Sequence, residues 1–321
     1  MIEVLNLALP FFGLIFIGFA CGKIKQIPDT ALAWMNFFIV YVSLPALFYS
    51  ILAKTPLEQL AKVDFVLATT LSTFVAFAVA FAIGMLIRGG RIDESTIAGL
   101  AGGYGNIGYM GPGLALLAFG EQAAVPVALI FCFENIMHFA LAPSLMALSG
   151  AERASPGRVA LEVGKKILLH PFIIATAIGV LAAALHFEAP VPLERLLETL
   201  ARAAAPCALF AMGVTLALRP LKRVPRALGP IAALKLIVHP LLCYVVLSWF
   251  GDFQPVWIYS AVLLAALPTA TNVFVIAQQY GVWVERASAS ILLTTVLSVG
   301  TVTALLYLMT TGLLPPDLFP Q

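Results

Sequence analysis

Apolar residues run in long blocks, separated by short polar stretches, along nearly the whole chain. Windows of roughly 20 apolar residues, the length needed to cross a bilayer as a helix, predict ten spans. They lie near 2–21, 30–53, 65–88, 96–119, 123–149, 166–186, 196–218, 228–250, 256–280 and 287–311. Two of these blocks are interrupted from within. The fourth contains Gly102-Gly103-Tyr104-Gly105-Asn106-Ile107-Gly108-Tyr109-Met110-Gly111-Pro112-Gly113, and the ninth contains Pro268-Thr269-Ala270-Thr271-Asn272. A broken helix is tolerated at membrane depth only where its freed backbone groups face protein or a water-filled cavity. A pair of such breaks in corresponding places of two halves points to a transporter's substrate site.

Composition agrees with the pattern. Hydrophobic residues make up 61% of the chain and charged residues 11%, with a mean hydropathy of +1.01, against about a quarter charged in ordinary soluble domains. The first span runs its full length without a basic lead, so it is read as a membrane helix and not a cleavable leader. The connections numbered odd hold Lys23, Lys25, Arg88, Arg91, Arg153, Arg158, Lys165, Lys166, Arg219, Lys222, Arg223, Arg226 and Arg286, which is 13 of the 18 basic residues. The other side holds Lys54, Lys62, Arg195 and Arg202. Basic residues favour the cytoplasmic side, so both termini are expected outside the cytoplasm, in a bacterial-type inner membrane. The net charge of +2 is accounted for by topology and implies no nucleic-acid partner.

A single ungapped offset of 161 carries Pro10, Phe11, Ile17 and Gly18 onto Pro171, Phe172, Ile178 and Gly179. The same offset carries Pro45 onto Pro206, Gly90 onto Gly251 and Gly120 onto Gly281. Five spans per half is an odd number, so the second half enters the membrane from the opposite side. The expected fold is an all-α membrane protein of ten transmembrane helices, built as two inverted five-helix repeats with broken helices 4 and 9 crossing at the centre. The first repeat would cover 1–149 and the second 166–312. A cytoplasmic linker at 150–165, carrying Pro156-Gly157 and mixed charges, would be a surface connection or a short interfacial helix.

Gly103-Tyr104-Gly105-Asn106-Ile107-Gly108 matches GxGxxG in form, but a dinucleotide site needs a strand and a βαβ unit around it. The glycines fit close helix packing better, and Gly99 with Gly103 makes a GxxxG pair. Cys21, Cys132, Cys207 and Cys243 sit in or at the ends of four different spans without metal or disulfide spacing. Neither a metal nor a cofactor is expected.

The breaks can be read as Pro-kinked helices packed on neighbours, since Pro112 and Pro268 remove backbone donors. In the functional reading, half-helix N-termini present N–H groups to an anion. Gly105, Asn106, Gly111, Pro112, Pro268, Thr269, Thr271 and Asn272 then line the substrate, with Asn106 and Asn272 donating to its carboxylate. Glu134 and Lys235 are the charged residues deep within spans, and intramembrane charge is costly enough to make each a functional candidate. His138 and His239 follow them at i+4 on the same helix faces, and Asn135 is adjacent. This group is either a structural Glu134–Lys235 bridge or a proton-titrating or cation-replacing site that couples or supports transport. No HExxH, GxSxG or Walker motif is present. An intramembrane hydrolase using Glu134, His138 and His239 is the rival class.

Several segments together resemble the auxin efflux carrier family. They are Ser43-Leu44-Pro45-Ala46-Leu47, His170-Pro171-Phe172-Ile173-Ile174 and Ala205-Pro206-Cys207-Ala208-Leu209-Phe210-Ala211-Met212-Gly213. Leu234-Lys235-Leu236-Ile237-Val238-His239-Pro240, then Leu267-Pro268 and Asn272, complete the set. The resemblance implies a fold shared with bile-acid/sodium symporters. Helices 1, 2, 6 and 7 would form a scaffold, and helices 3–5 and 8–10 a moving crossover domain working by elevator-like alternating access. It further implies carriage of small mono- or dicarboxylates such as malonate or malate, and homodimerisation. Plant members place a charged support cluster partly on the third span, which has no mid-membrane charge here, so Glu134, Asn135 and Lys235 would have to replace it. Coupling to protons is the expectation, and a sodium-coupled organic anion carrier of the bile-acid type is the alternative.

Overall fold

The computed structural model describes residues 2–25, 28–87, 89–150, 156–218 and 228–318. Among them the chain is all helix, and its sole extended pairing is an isolated antiparallel bridge between Gly105 and Thr269. Among the described residues, six helical segments are long and apolar enough to cross a membrane: Thr30–Leu52, Leu57–Ile87, Glu121–Leu148, Val191–Leu218, Leu228–Phe250 and Val284–Thr310. The second is divided at residues 61–62 into Leu57–Leu60 and Val63–Ile87. A further helix, Ile2–Lys25, has 24 residues. The other expected spans are shorter pieces for local reasons. The fourth consists of Ile92–Gly103 and Gly111–Phe119, and the ninth of Pro255–Ala265 and Thr271–Tyr280. The sixth is Pro171–Ala184, preceded by a separate Pro156–Leu168 helix. Pro171 fits the first turn of a helix but cannot continue one, so the apolar run predicted from 166 is divided there. The predicted linker is thus helical from Pro156. Its polar positions Arg158, Glu162, Lys165 and Lys166 recur at helical spacing. Residues 151–155, together with Arg88, Arg219, Lys222, Arg223 and Arg226, lie outside the described residues.

The chain divides into two compact units. The first comprises Met1–Val63, Gly108–Cys132 and Leu168–Pro220, and the second Asp64–Ile107, Phe133–Ile167 and Leu221–Gln321. In the first unit, Ile2–Lys25 packs along Val191–Leu218 at unusually short range. A Cβ on Gly18 would stand 2.2 Å from Phe210 O, and one on Gly213 only 2.0 Å from Ile15 O. Here glycine is required by backbone contact, as at small-residue membrane interfaces. Phe48, Phe131 and Phe172 fill the centre of the unit, with ring centroids 3.8–5.3 Å apart.

In the second unit, Ile92–Gly103 lies equally close to Val63–Ile87. A Cβ on Gly102 would meet Ala80 Cβ at 2.4 Å, and one on Gly103 would meet Phe77 Cβ at 2.9 Å. The glycine run therefore serves helix packing, and among the described residues the formal GxGxxG match has no strand beside it. Phe77, Ile97, Leu100, Tyr104, Met146, Val273 and Ala277 make the apolar core around this contact.

Among the described residues, each unit contains one π-helical turn, and each turn leads into a proline. Ile39–Ser43 precedes Leu44-Pro45, and Leu234–Val238 precedes His239-Pro240. Proline cannot donate to the carbonyl four residues back, and its ring crowds that carbonyl. Widening the turn substitutes i→i+5 bonds, from Leu44 N–H to Ile39 O and from His239 N–H to Leu234 O, so both helices continue past the proline.

Candidate functional site

The two helix breaks within the second unit bond to each other. Ile92–Gly103 ends where Tyr104 turns to extended backbone, and Pro255–Ala265 ends before Leu267. The buried, strand-like pieces 104–106 and 268–270 then run antiparallel. Asn106 N–H donates to Pro268 O at 2.8 Å, and Ala270 N–H donates to Tyr104 O at 2.9 Å. Backbone groups that a break would leave orphaned in a low-dielectric setting are thereby satisfied by the other break.

Side chains close the remaining positions. The Thr269 hydroxyl donates to Ala101 O at 2.7 Å, serving a carbonyl at the end of Ile92–Gly103. The Thr269 N–H donates to Thr294 Oγ1 at 3.0 Å. Lys235 Nζ donates to Ala265 O at 2.5 Å, placing its amino group at the negative end of Pro255–Ala265. The same ammonium lies against Gly105, where a Cβ would stand 3.2 Å from Nζ and 3.2 Å from Leu264 O. Asn272, half-buried in the first turn of Thr271–Tyr280, donates through Nδ2 to the Tyr104 hydroxyl at 3.0 Å. The Tyr104 hydroxyl in turn donates to Asn135 Oδ1. That ten-residue helix begins after Ala270, whose side chain offers no cap to its N–H groups.

The charged group predicted from sequence assembles around the same point. Among the described residues no ion pair joins Glu134 directly to Lys235, so the simple bridge is replaced by a chain. Lys235 Nζ is 3.1 Å from His239 Nδ1, His239 Nε2 is 3.1 Å from Thr73 Oγ1, and Thr73 donates to Glu134 Oε1 at 2.8 Å. Lys235 and His138 are 0% exposed and Glu134 is 6% exposed. His138 stacks on Tyr104 with centroids 4.1 Å apart, and neither of its ring nitrogens has a hydrogen-bond partner among the described residues.

Gly105, Asn106, Pro268, Thr269, Thr271 and Asn272 thus come together in the second unit, with Glu134, Asn135, His138, Lys235 and His239 around them. Gly111 and Pro112 open the Gly111–Phe119 helix in the first unit, where Gly113 packs on Ala205. Sequence reasoning passed over Thr73, Tyr104 and Thr294. Thr73 offers a faint signal as part of Thr69-Thr70-Leu71-Ser72-Thr73, a polar cluster in an otherwise apolar run, since hydroxyls join helices in membranes. The third span therefore contributes a hydroxyl to the charged group and no charge of its own.

Known proteins bear on this arrangement in two ways. Residues 4–307 match the family described as membrane transport protein. A protein of Rhizobium meliloti (strain 1021), named "Putative malonate transporter", is 59% identical over 320 residues, covering 100% of both chains. With several long apolar helices, the protein is a multi-pass membrane transporter. It belongs to the membrane transport protein family, that of the auxin efflux carriers.

Proposed function

We propose that this protein is a secondary carrier of small organic anions, with a mono- or dicarboxylate held beside the paired breaks. The observation that carries this reading is the convergence of the buried Lys235 amino group and the N-terminus of Thr271–Tyr280, whose Ala270 N-cap offers no side-chain acceptor, on the same backbone crossing. Both features favour negative charge. Asn272 and Asn106 supply amide donors, and Thr269 and Thr271 line the approach. Gly105 leaves room for Lys235. The assignment of Gly111 and Pro112 rests on the pairing of the two breaks in the sequence. Malonate is the first substrate to try, because a relative 59% identical is named for it.

The finer architecture follows from the repeat and the resemblance. Ten spans form two inverted five-helix halves with crossed helices 4 and 9, and the chain works by elevator-like alternating access in the bacterial inner membrane. The Lys/Arg distribution puts both termini on the outer side. Proton coupling through the Glu134–Lys235 group is favoured over sodium because Lys235 already supplies positive charge at the crossing.

Uptake of labelled malonate into proteoliposomes tests the site. Asn272→Ala should abolish transport while the purified chain keeps its melting temperature, and unchanged transport would remove Asn272 from the site. Imposed pH and sodium gradients separate the two couplings: a strict sodium requirement would favour the bile-acid-symporter alternative. Hydrolysis of a substrate by the purified chain is the result that would revive the enzyme reading.

A further inference from the structure

The buried charges Lys235 and Glu134 do not touch, yet an unbroken line of hydrogen bonds joins them. Its directions are consistent throughout. Thr73 donates to the Glu134 carboxylate, so its oxygen is free to accept from His239 Nε2–H. His239 Nδ1 is then the acceptor for Lys235. Each link spans 2.8–3.1 Å, and each atom can both receive and release a proton.

We propose that Lys235, His239, Thr73 and Glu134 form a proton relay, so that a carboxylate bound beside Lys235 draws a proton from water onto Glu134. The proposal rests on the anion site described above and adds the coupling route to it. Without anion, one proton can move along the line with no change in net charge. A proton leaves Lys235 Nζ for His239 Nδ1, the Nε2 proton passes to Thr73 Oγ1, and the Thr73 proton passes to Glu134 Oε1. Lys235 is then a neutral amine with its electron pair restored, His239 is the other neutral tautomer, and Glu134 is a carboxylic acid. This neutral form removes two charges from a setting where each is costly.

An anion at the crossing reverses the preference at one end only. It holds Lys235 as ammonium by direct attraction, which is strong where water is excluded. Glu134 then becomes a second negative charge facing a single cation, and it takes up an external proton. Glu134 is the member with the most accessible surface, and Lys235 has none, so the external proton is taken up at the carboxyl end. A monocarboxylate and its proton together leave the cluster's net charge unchanged, and a doubly charged dicarboxylate such as malonate leaves it one unit more negative.

The other ionisable groups nearby do not offer a competing path. His138, on the Ala124–Leu148 helix with Glu134, is within electrostatic reach of Lys235 and His239 but hydrogen-bonds to neither. Cys243, on the helix of His239, interacts with Ser72. Tyr104 is committed to Asn135. Tyr259, on Pro255–Ala265, donates to Leu314 O. Ile92–Gly103 and Val284–Thr310 carry Asp93, Glu94, Glu285, Arg286 and Tyr307 in their terminal turns.

Calorimetric titration of the full chain with malonate, in two buffers of different ionisation enthalpy at the same pH, reads protons taken up per malonate bound. The relay predicts about one at neutral pH. Thr73→Val should drive this ratio toward zero, and Thr73→Ser, which keeps the hydroxyl, should restore it. A merely structural role for Thr73 would change how much malonate binds and not the ratio. Equal heats in both buffers for the native chain, or an unchanged ratio in Thr73→Val, overturn the relay. If Thr73→Val does not purify as a folded protein, the native buffer comparison decides. Absence of any malonate heat, with other mono- and dicarboxylates also silent, overturns the anion site instead.

Discussion

The two π-helical turns are the same backbone device put to different ends. Ile39–Ser43 and Leu234–Val238 each absorb a proline two residues beyond their last member. In the first unit the turn carries apolar residues and ends in Ser43, whose hydroxyl donates to Leu200 O at 2.6 Å. In the second unit the turn carries Lys235, followed at once by His239. Wide turns are frequent at functional sites, but here their origin is proline. What distinguishes the second is the ionisable pair it presents, so the side chains carry the functional meaning and the backbone irregularity does not.

The sharpest way to break this comparison is to empty the second turn of its charge. Lys235→Met strands the Ala265 carbonyl and leaves Glu134 buried without its compensating cation. Disrupting a buried charged group of this kind costs about 3–5 kcal/mol. Malonate transport in proteoliposomes should fall by more than about a hundredfold, with a lowered melting temperature in detergent. Transport at native rates would make the second turn as silent as the first.

Asn272→Ala removes one donor to Tyr104 and the proposed contact to the anion. A lost hydrogen bond to a charged group is worth about 1.5–3 kcal/mol, so malonate affinity should weaken by about ten- to a hundredfold, read by calorimetry. Ser43→Ala in the first turn should cost about 1 kcal/mol of stability and leave malonate binding as in the native chain. A binding defect there would erase the contrast between the turns.

The smallest effect belongs to the exposed charges of the first unit. Lys54 donates to Glu194 at 2.6 Å, and this contact raises the Lys54 pKa above its ordinary 10.5. The contribution is therefore complete below about 10.5 and is lost only as pH climbs through the raised value. With the lysine side chain 62% exposed, screening limits the pair to under about 1 kcal/mol. Lys54→Ala should shift the melting temperature by a degree or two at most, equally at pH 7 and pH 9.

How much of this could be read from the residues depended on how rare each signal is in a membrane helix. Asn106, Pro112, Pro268 and Asn272 stood out because Gly-, Pro- and Asn-rich interruptions are conspicuous in apolar runs, and Glu134 and Lys235 because intramembrane charge is expensive. Thr73 and Tyr104 did not, since hydroxyl and aromatic side chains are ordinary in such helices and acquire meaning only through their partners. The absence of a direct Glu134–Lys235 pair was equally invisible, because helical spacing sets which face a residue occupies and not how far apart two faces end. The sixth span was predicted too long because hydropathy ran smoothly across Leu168, Leu169 and His170 while Pro171 divided the helix.

The bonds that close the breaks also say something about biogenesis. Ala101 is tied to Thr269, and Tyr104 to Asn272, across a sequence separation of 168 residues each. During synthesis the first interrupted segment therefore emerges long before its partner exists. Until then its loose carbonyls and amides have to be sheltered by the insertion machinery, by water or by transient neighbours. Such distant closure is a slow step in assembly. It leaves the first half dependent on the second for completion, and a ribosome that stalls between them would leave an unfinished nascent chain for membrane quality control to remove.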